Sequence, residues 1–132
     1  MLDYPQVALD FMNRDHAEFD ALREKLLALL PMHPPASEVD NLLEAMLEHT
    51  RRHFAAEELL MQETRFPPYP MHKGEHGSVL ADMAARIENW KREQDAPELR
   101  DWLDKTVGDW FVTHVNTMDF ITAGFIAKQK KG

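Results

Sequence analysis

The chain has 132 residues, 44% of them hydrophobic and 29% charged, with a formal charge of −8 and no cysteine. That length can bury a core without disulfides, and the acidic balance excludes the basic face that nucleic-acid phosphates require. Without thiols there is no iron–sulfur cluster and no thiolate zinc site, so any metal must be held by nitrogen and oxygen.

The first residues, MLDYPQVALDFMNRD, carry acids where a signal peptide needs a basic stretch, and no run approaches the roughly 18 apolar residues of a spanning helix. The expectation is one soluble cytoplasmic domain, residues 1–132, that binds neither nucleic acid nor membrane. Prolines at 31, 34 and 35, then at 67, 68 and 70, then at 97 divide it into four segments. The first, about residues 6–30, spaces Met12, His16, Phe19, Leu22, Leu26 and Leu29 three and four apart, the period of a helix with one buried face. The second follows PMHPPA, with Ser37 and Asp40 as an expected capping pair, and its inner stripe reads Val39, Leu42, Met46, His49, His53, Glu57 and Leu60 up to RFPPYP. The third carries His72, His76, Val79, Met83, Ile87 and Trp90. The fourth starts with Pro97 in its first turn, presents Leu99, Leu103, Thr106, Trp110, His114 and Met118, and extends to about Phe125 ahead of a basic KQKK expected to fray. Alternating strand patterns are lacking, and short loops make the helices antiparallel neighbours. The predicted fold is all-α, an up-down-up-down antiparallel four-helix bundle.

Histidine recurs on these stripes where leucine would pack better, and a buried imidazole needs a partner. His53 with Glu57, and His72 with His76, are four apart and share a helix face within reach of a common ion. Helix register supplies an independent check. Glu57 lies about ten residues before the turn near 67 and His76 about nine after it, so at about 1.5 Å per residue they are level. His76 and His114 are likewise about equally far from the turn near 95, and His16 and His53 differ by under one turn about the loop near 33. Asp119, five beyond His114, sits about 140° further round an ideal helix. A local widening of the winding could bring it inward, and the spacing alone leaves that open. Five histidines exceed what one tetrahedral zinc can use, so the donors suit two ions of iron, manganese or zinc.

The order His16, His53-x3-Glu57, His72-x3-His76, His114-x4-Asp119 resembles the hemerythrins, in particular the bacterial hemerythrins. HFAAEELLMQETRFPPYPMHKGEH and WFVTHVNTMD resemble that family's passage from second to third helix and its fourth-helix motif. The resemblance implies that His72, His76 and His114 hold one iron and His16 and His53 the other. It implies two non-haem iron ions (Fe2+/Fe3+) bridged by Glu57, Asp119 and an oxo or hydroxo group. Dioxygen would bind reversibly on the two-histidine side, so the protein would be an oxygen carrier or store, not an enzyme. The same site would alternatively serve oxygen or nitric oxide sensing, or iron storage and donation, with a partner protein for delivery or signalling that the sequence does not identify. Phe111 stands where the family commonly has leucine over the oxygen pocket, with Val115 its expected apolar neighbour. The arm before His16 is short and without the aromatic residue often seen there, so that edge of the site is expected to be open. His49, one turn before His53, is expected to be structural. HKGEH also matches the H-x-x-E-H pattern of inverted zinc peptidases, with Glu75 as base. The Glu-x-x-His spacing of ferritin-like oxidases occurs nowhere.

Overall fold

The structure, a computed structural model, describes residues 2–131, so the two end residues of the expected 1–132 domain lie outside the described residues. Helix α1 is Asp10–Leu29, α2 is Ala36–Glu63 and α3 is Tyr69–Glu93. The fourth helix, α4, is continuous from 96 to 131 but changes its winding twice, with π-helical turns at Trp102–Val107 and Val115–Asp119. Each turn between helices passes through one left-handed residue, His33 (φ 52°), Arg65 (φ 55°) or Gln94 (φ 50°). Among the described residues there is no strand, and no helix is long and apolar enough to cross a membrane.

Side-chain bonds tie the four helices into a closed ring. Asp15 and His53 join α1 to α2, and the Trp90 indole donates to Asp40 at 2.8 Å to join α2 to α3. Glu75 and His114 join α3 to α4, and Arg23 donates to the Leu103 carbonyl at 2.8 Å to join α1 to α4. Leu26, Leu43, Met46, Met83, Ile87 and Leu103 form the main apolar core, while Met61, Phe66 and Ile126 close the opposite end. The layer of histidines lies between them.

The details depart from the sequence reading in instructive ways. Helix α1 begins at Asp10 because residues 2–8 are held as a non-helical arm. The Asn13 side chain accepts from the Val7 N–H at 2.8 Å and donates to its carbonyl at 3.0 Å, as a neighbouring strand would. The expected capping pair does not form. Pro35 occupies the cap of α2 without a side-chain bond, and Asp40 is turned to Trp90 instead. Leu42, His49 and Leu60 sit at the edge of the buried face of α2, whose centre is filled by Leu43, Thr50 and Met61. Asp95 caps α4 by accepting from the Glu98 N–H, with Pro97 in the first turn as expected. The helix then runs past Phe125 and includes the basic tail through Lys131.

A π-turn widens the helix and leaves carbonyls without their usual donors. Arg23, 3% exposed, serves those of the first widened turn. Its guanidinium reaches both Leu103 and Asp104 carbonyls and lies 3.7 Å from buried Asp20. A side chain at position 108 would meet it, since a Cβ on Gly108 would lie 3.0 Å from Arg23 Nη2. Arg23→Met should therefore cost about 3 kcal/mol, the scale for stranding a buried partner. Urea unfolding of the metal-free protein measures this, and a loss under about 1 kcal/mol would refute the role.

Candidate metal centre

Five imidazoles and two carboxylates from all four helices meet in one buried layer. His16, His53, His72, His76 and His114 are at most 8% exposed, Glu57 is 0% and Asp119 1%. Asp119 owes its place to the winding of α4, because the second π-turn spans Val115–Asp119 and brings its Oδ1 to 3.1 Å from His114 Nε2.

The two carboxylates divide their oxygens between two groups of histidines. Glu57 Oε1 faces His72 and His76 Nε2 at 3.5 and 3.3 Å, and its Oε2 faces His53 Nε2 at 2.5 Å. Asp119 Oδ1 faces His72 and His114 Nε2 at 3.4 and 3.1 Å, and its Oδ2 faces His16 Nε2 at 2.9 Å. One oxygen of each carboxylate thus belongs with His72, His76 and His114, and the other with His16 and His53. Each set, with its carboxylates, places its donor atoms within 4.8 Å of one another.

Apart from His16 Nε2 and Asp119 Oδ2, which are bonded to each other, the inward atoms lack hydrogen-bond partners. They are Nε2 of His53, His72, His76 and His114, both oxygens of Glu57, and Oδ1 of Asp119. Burying so many orphaned donors and acceptors is costly unless a further group completes them. Divalent cations fit this set, which is all imidazole nitrogen and carboxylate oxygen.

The outward nitrogens of four of the five histidines are bonded and fix the rings, whereas Nδ1 of His16 is buried without a partner. Nδ1 of His53 meets Asp15 at 2.6 Å, Nδ1 of His72 meets the Thr122 hydroxyl at 2.9 Å, and Nδ1 of His76 meets Glu58 at 3.0 Å. Nδ1 of His114 donates to Glu75. These acceptors hold the proton on Nδ1 and leave Nε2 free for an ion. Sequence reasoning missed all four, yet a signal existed, since Asp15, Glu58 and Glu75 each adjoin a cluster residue in the chain and reach to a histidine on the next helix. Glu75 is thereby removed from the peptidase role, because it supports His114 instead of facing the ion space of His72 and His76. Stacking adds to the restraint, with Phe54 flat on His76 at 3.7 Å and Trp110 on His114 at 4.9 Å.

A cavity of about 20 Å³ adjoins the two-histidine half, lined by Asp15, His16, His53, Phe19, Phe111 and neighbours. Phe111 stacks on Phe19 at 5.0 Å. Val115 is fully buried in the adjoining core. The expected open edge is closed. The arm lays Tyr4 edge-on to both His16 and Phe111, at 6.2 and 5.0 Å, and Phe11 packs 6.1 Å from His53. Tyr4 was legible as an aromatic, but not the Asn13 clamp that folds the arm back. His49 stays outside the cluster, with Nε2 3.4 Å from Glu18.

The chain belongs to the hemerythrin family: the Hemerythrin HHE cation binding domain model matches residues 7–126. It is similar to a bacteriohemerythrin of Aquifex aeolicus, 33% identical over 86% of this chain and 86% of that protein. It is also similar to a bacteriohemerythrin of Ralstonia nicotianae, 32% identical over 86% of this chain and 82% of the relative. A myohemerythrin of Sipunculus nudus is 35% identical over 59% of this chain and 58% of its own length. None of these names is that of an enzyme. No solved structure matches the chain.

In the metal-free protein, burial works against charge on His53, but Glu57 and Asp15 outweigh it and raise its pKa from 6.5 to about 10. Burial and Asp119 push Glu57 up, yet the surrounding imidazoles hold it below its usual 4.5; burial likewise opposes ionised Asp119, which His114 and His16 keep well below 3.8. A raised histidine stabilises fully below its unfolded value, and lowered carboxylates stabilise above theirs. Stability of the metal-free protein should thus fall as pH rises from 6.5 toward 10 and again as pH drops below 4.5, which urea titrations across pH measure. Metal uptake must displace the His53 proton, so affinity should rise with pH and protons should be released into a weak buffer. Thr122→Val, which removes the acceptor for His72, should weaken metal affinity about 10-fold or more, as read by competition with a chelator.

Proposed function

We propose that this cluster holds two non-haem iron ions and binds dioxygen reversibly, making the protein an oxygen carrier or store. His72, His76 and His114 would hold one ion and His16 and His53 the other, with Glu57 and Asp119 each offering an oxygen to both and an oxo or hydroxo group completing the pair. The observation that carries this reading is the division of carboxylate oxygens, one from each of Glu57 and Asp119 toward each histidine group. Membership of the hemerythrin family supports iron as the metal and dioxygen as the ligand. Iron so held would supply the electron pair that dioxygen needs.

The chain's own part is to fix the donors and exclude competing chemistry. The cavity on the two-histidine side has room for about one small molecule, with Phe111 and Phe19 as walls and Val115 one turn further along the same core. Two polar groups at its wall are unsuited to proton delivery. The hydrogen bond from His53 holds Asp15 below its usual range, so it stays a carboxylate. The Thr50 hydroxyl donates to the Met46 carbonyl at 2.8 Å. Neither of these two groups supplies a proton that would turn dioxygen toward reduction instead of release.

Anaerobic loading with ferrous iron should give two irons per chain and an optical band that appears in air and vanishes when oxygen is removed. Fewer irons, or a band that does not reverse, would overturn the proposal. His114→Ala should lose iron from the three-histidine side, and full retention of both ions would refute that assignment.

A further inference from the structure

Outside the buried cluster, Asp15 and Glu18 stand one turn apart on α1 and face His49 on α2. Each offers a ligand atom, and the three atoms lie within 4.8 Å of one another. His49 Nε2 is 3.4 Å from Glu18 Oε1, and its Nδ1 is buried without a hydrogen-bond partner. Exposure rises from 14% for His49 through 26% for Asp15 to 63% for Glu18. Asp15 and His49 also line the cavity whose inner wall is His16 and His53.

Two carboxylates crowded against one imidazole leave negative charge that the imidazole alone does not balance, even with Asp15 also bonded to His53. A divalent cation would balance it, and one nitrogen with two carboxylates suits a first-row transition ion better than calcium. The position matters as much as the donors. Asp15 touches the outer group on one side and His53 Nδ1 on the other at 2.6 Å. An ion resting here would be one side chain from the two-histidine half of the buried centre.

We propose that Asp15, Glu18 and His49 form an outer site for a divalent transition-metal ion at the mouth of the cavity, through which ferrous iron reaches His16 and His53. The entry role rests on the reading of the buried cluster as an iron centre. His49 then has a function that neither packing nor the buried cluster gives it.

The test starts from anaerobically loaded protein whose iron content has been measured, titrated with Mn2+ alone and followed by loss of the free Mn2+ paramagnetic signal. The expected result is a single Mn2+ bound per chain beyond the iron. Glu18→Gln and His49→Gln should each weaken it by about 10-fold or more, since removing a ligand costs at least what removing a ligand's support does, with iron content unchanged. Equal Mn2+ binding by wild type and both variants, or none by wild type, overturns the site. Stopped-flow uptake of Fe2+ by the metal-free protein tests the entry role: both variants should load several-fold more slowly to the same final content, and unchanged rates overturn it. Failure of the buried iron centre itself is a separate outcome, read as fewer than two irons in the wild type before any Mn2+ is added.

Discussion

Two ionised carboxylates buried at the centre of the bundle set the terms for everything around them. Glu57 and Asp119 are 0% and 1% exposed, and charge at that depth survives only if surrounding groups compensate it. Five imidazoles do so, and each must be aimed. Four are aimed by an acceptor on Nδ1, so the demand passes outward to Asp15, Glu58, Glu75 and Thr122. The three acids among these are partly solvated, which lets the outermost charge of the chain of bonds be stabilised by water. The apolar cores above and below keep that water from the inner atoms.

Helix α4 meets the demand by giving up uniform winding. Its buried positions include Leu103, Val107, Phe111, Val115, Asp119 and Ala123, a strict step of four. In an ideal α-helix each such step drifts about 40°, so the row would wind off the core within a few turns. Two π-turns remove the drift, and each creates backbone groups that need new partners. At the first, Arg23 supplies the donors from α1 and Gly108 leaves room for it. The second turns Asp119 inward.

Much of this was legible in the sequence because helices enforce periodicity. The four segments, their antiparallel order and the shared level of His16, His53, Glu57, His72, His76 and His114 follow from spacing and from distance to the proline-marked turns. The inward position of Asp119 could not be derived, since spacing names the widened turn as one possibility but does not require it. Thr106, expected inward, is exposed for the same reason. The outer acceptors were hidden because they pair across helices, where side-chain reach and rotation decide the partner. The stripe of α2 was misjudged by one position at Leu42, His49 and Leu60, and that rotation leaves His49 facing Glu18 on α1.

The amino-terminal arm couples the site to whatever is attached ahead of it. Tyr4 covers His16 and Phe111 only while Asn13 grips Val7, and those two bonds are a short lever from the start of the chain. A bulky tag or fused protein at that end pulls on Tyr4, which backs His16 and Phe111 in the cavity wall, whereas the same cargo beyond α4 hangs from a helix whose last turns are remote from the cluster. Fusion geometry is therefore a variable in any measurement of ligand release, and carboxy-terminal attachment keeps the wall as the fold builds it.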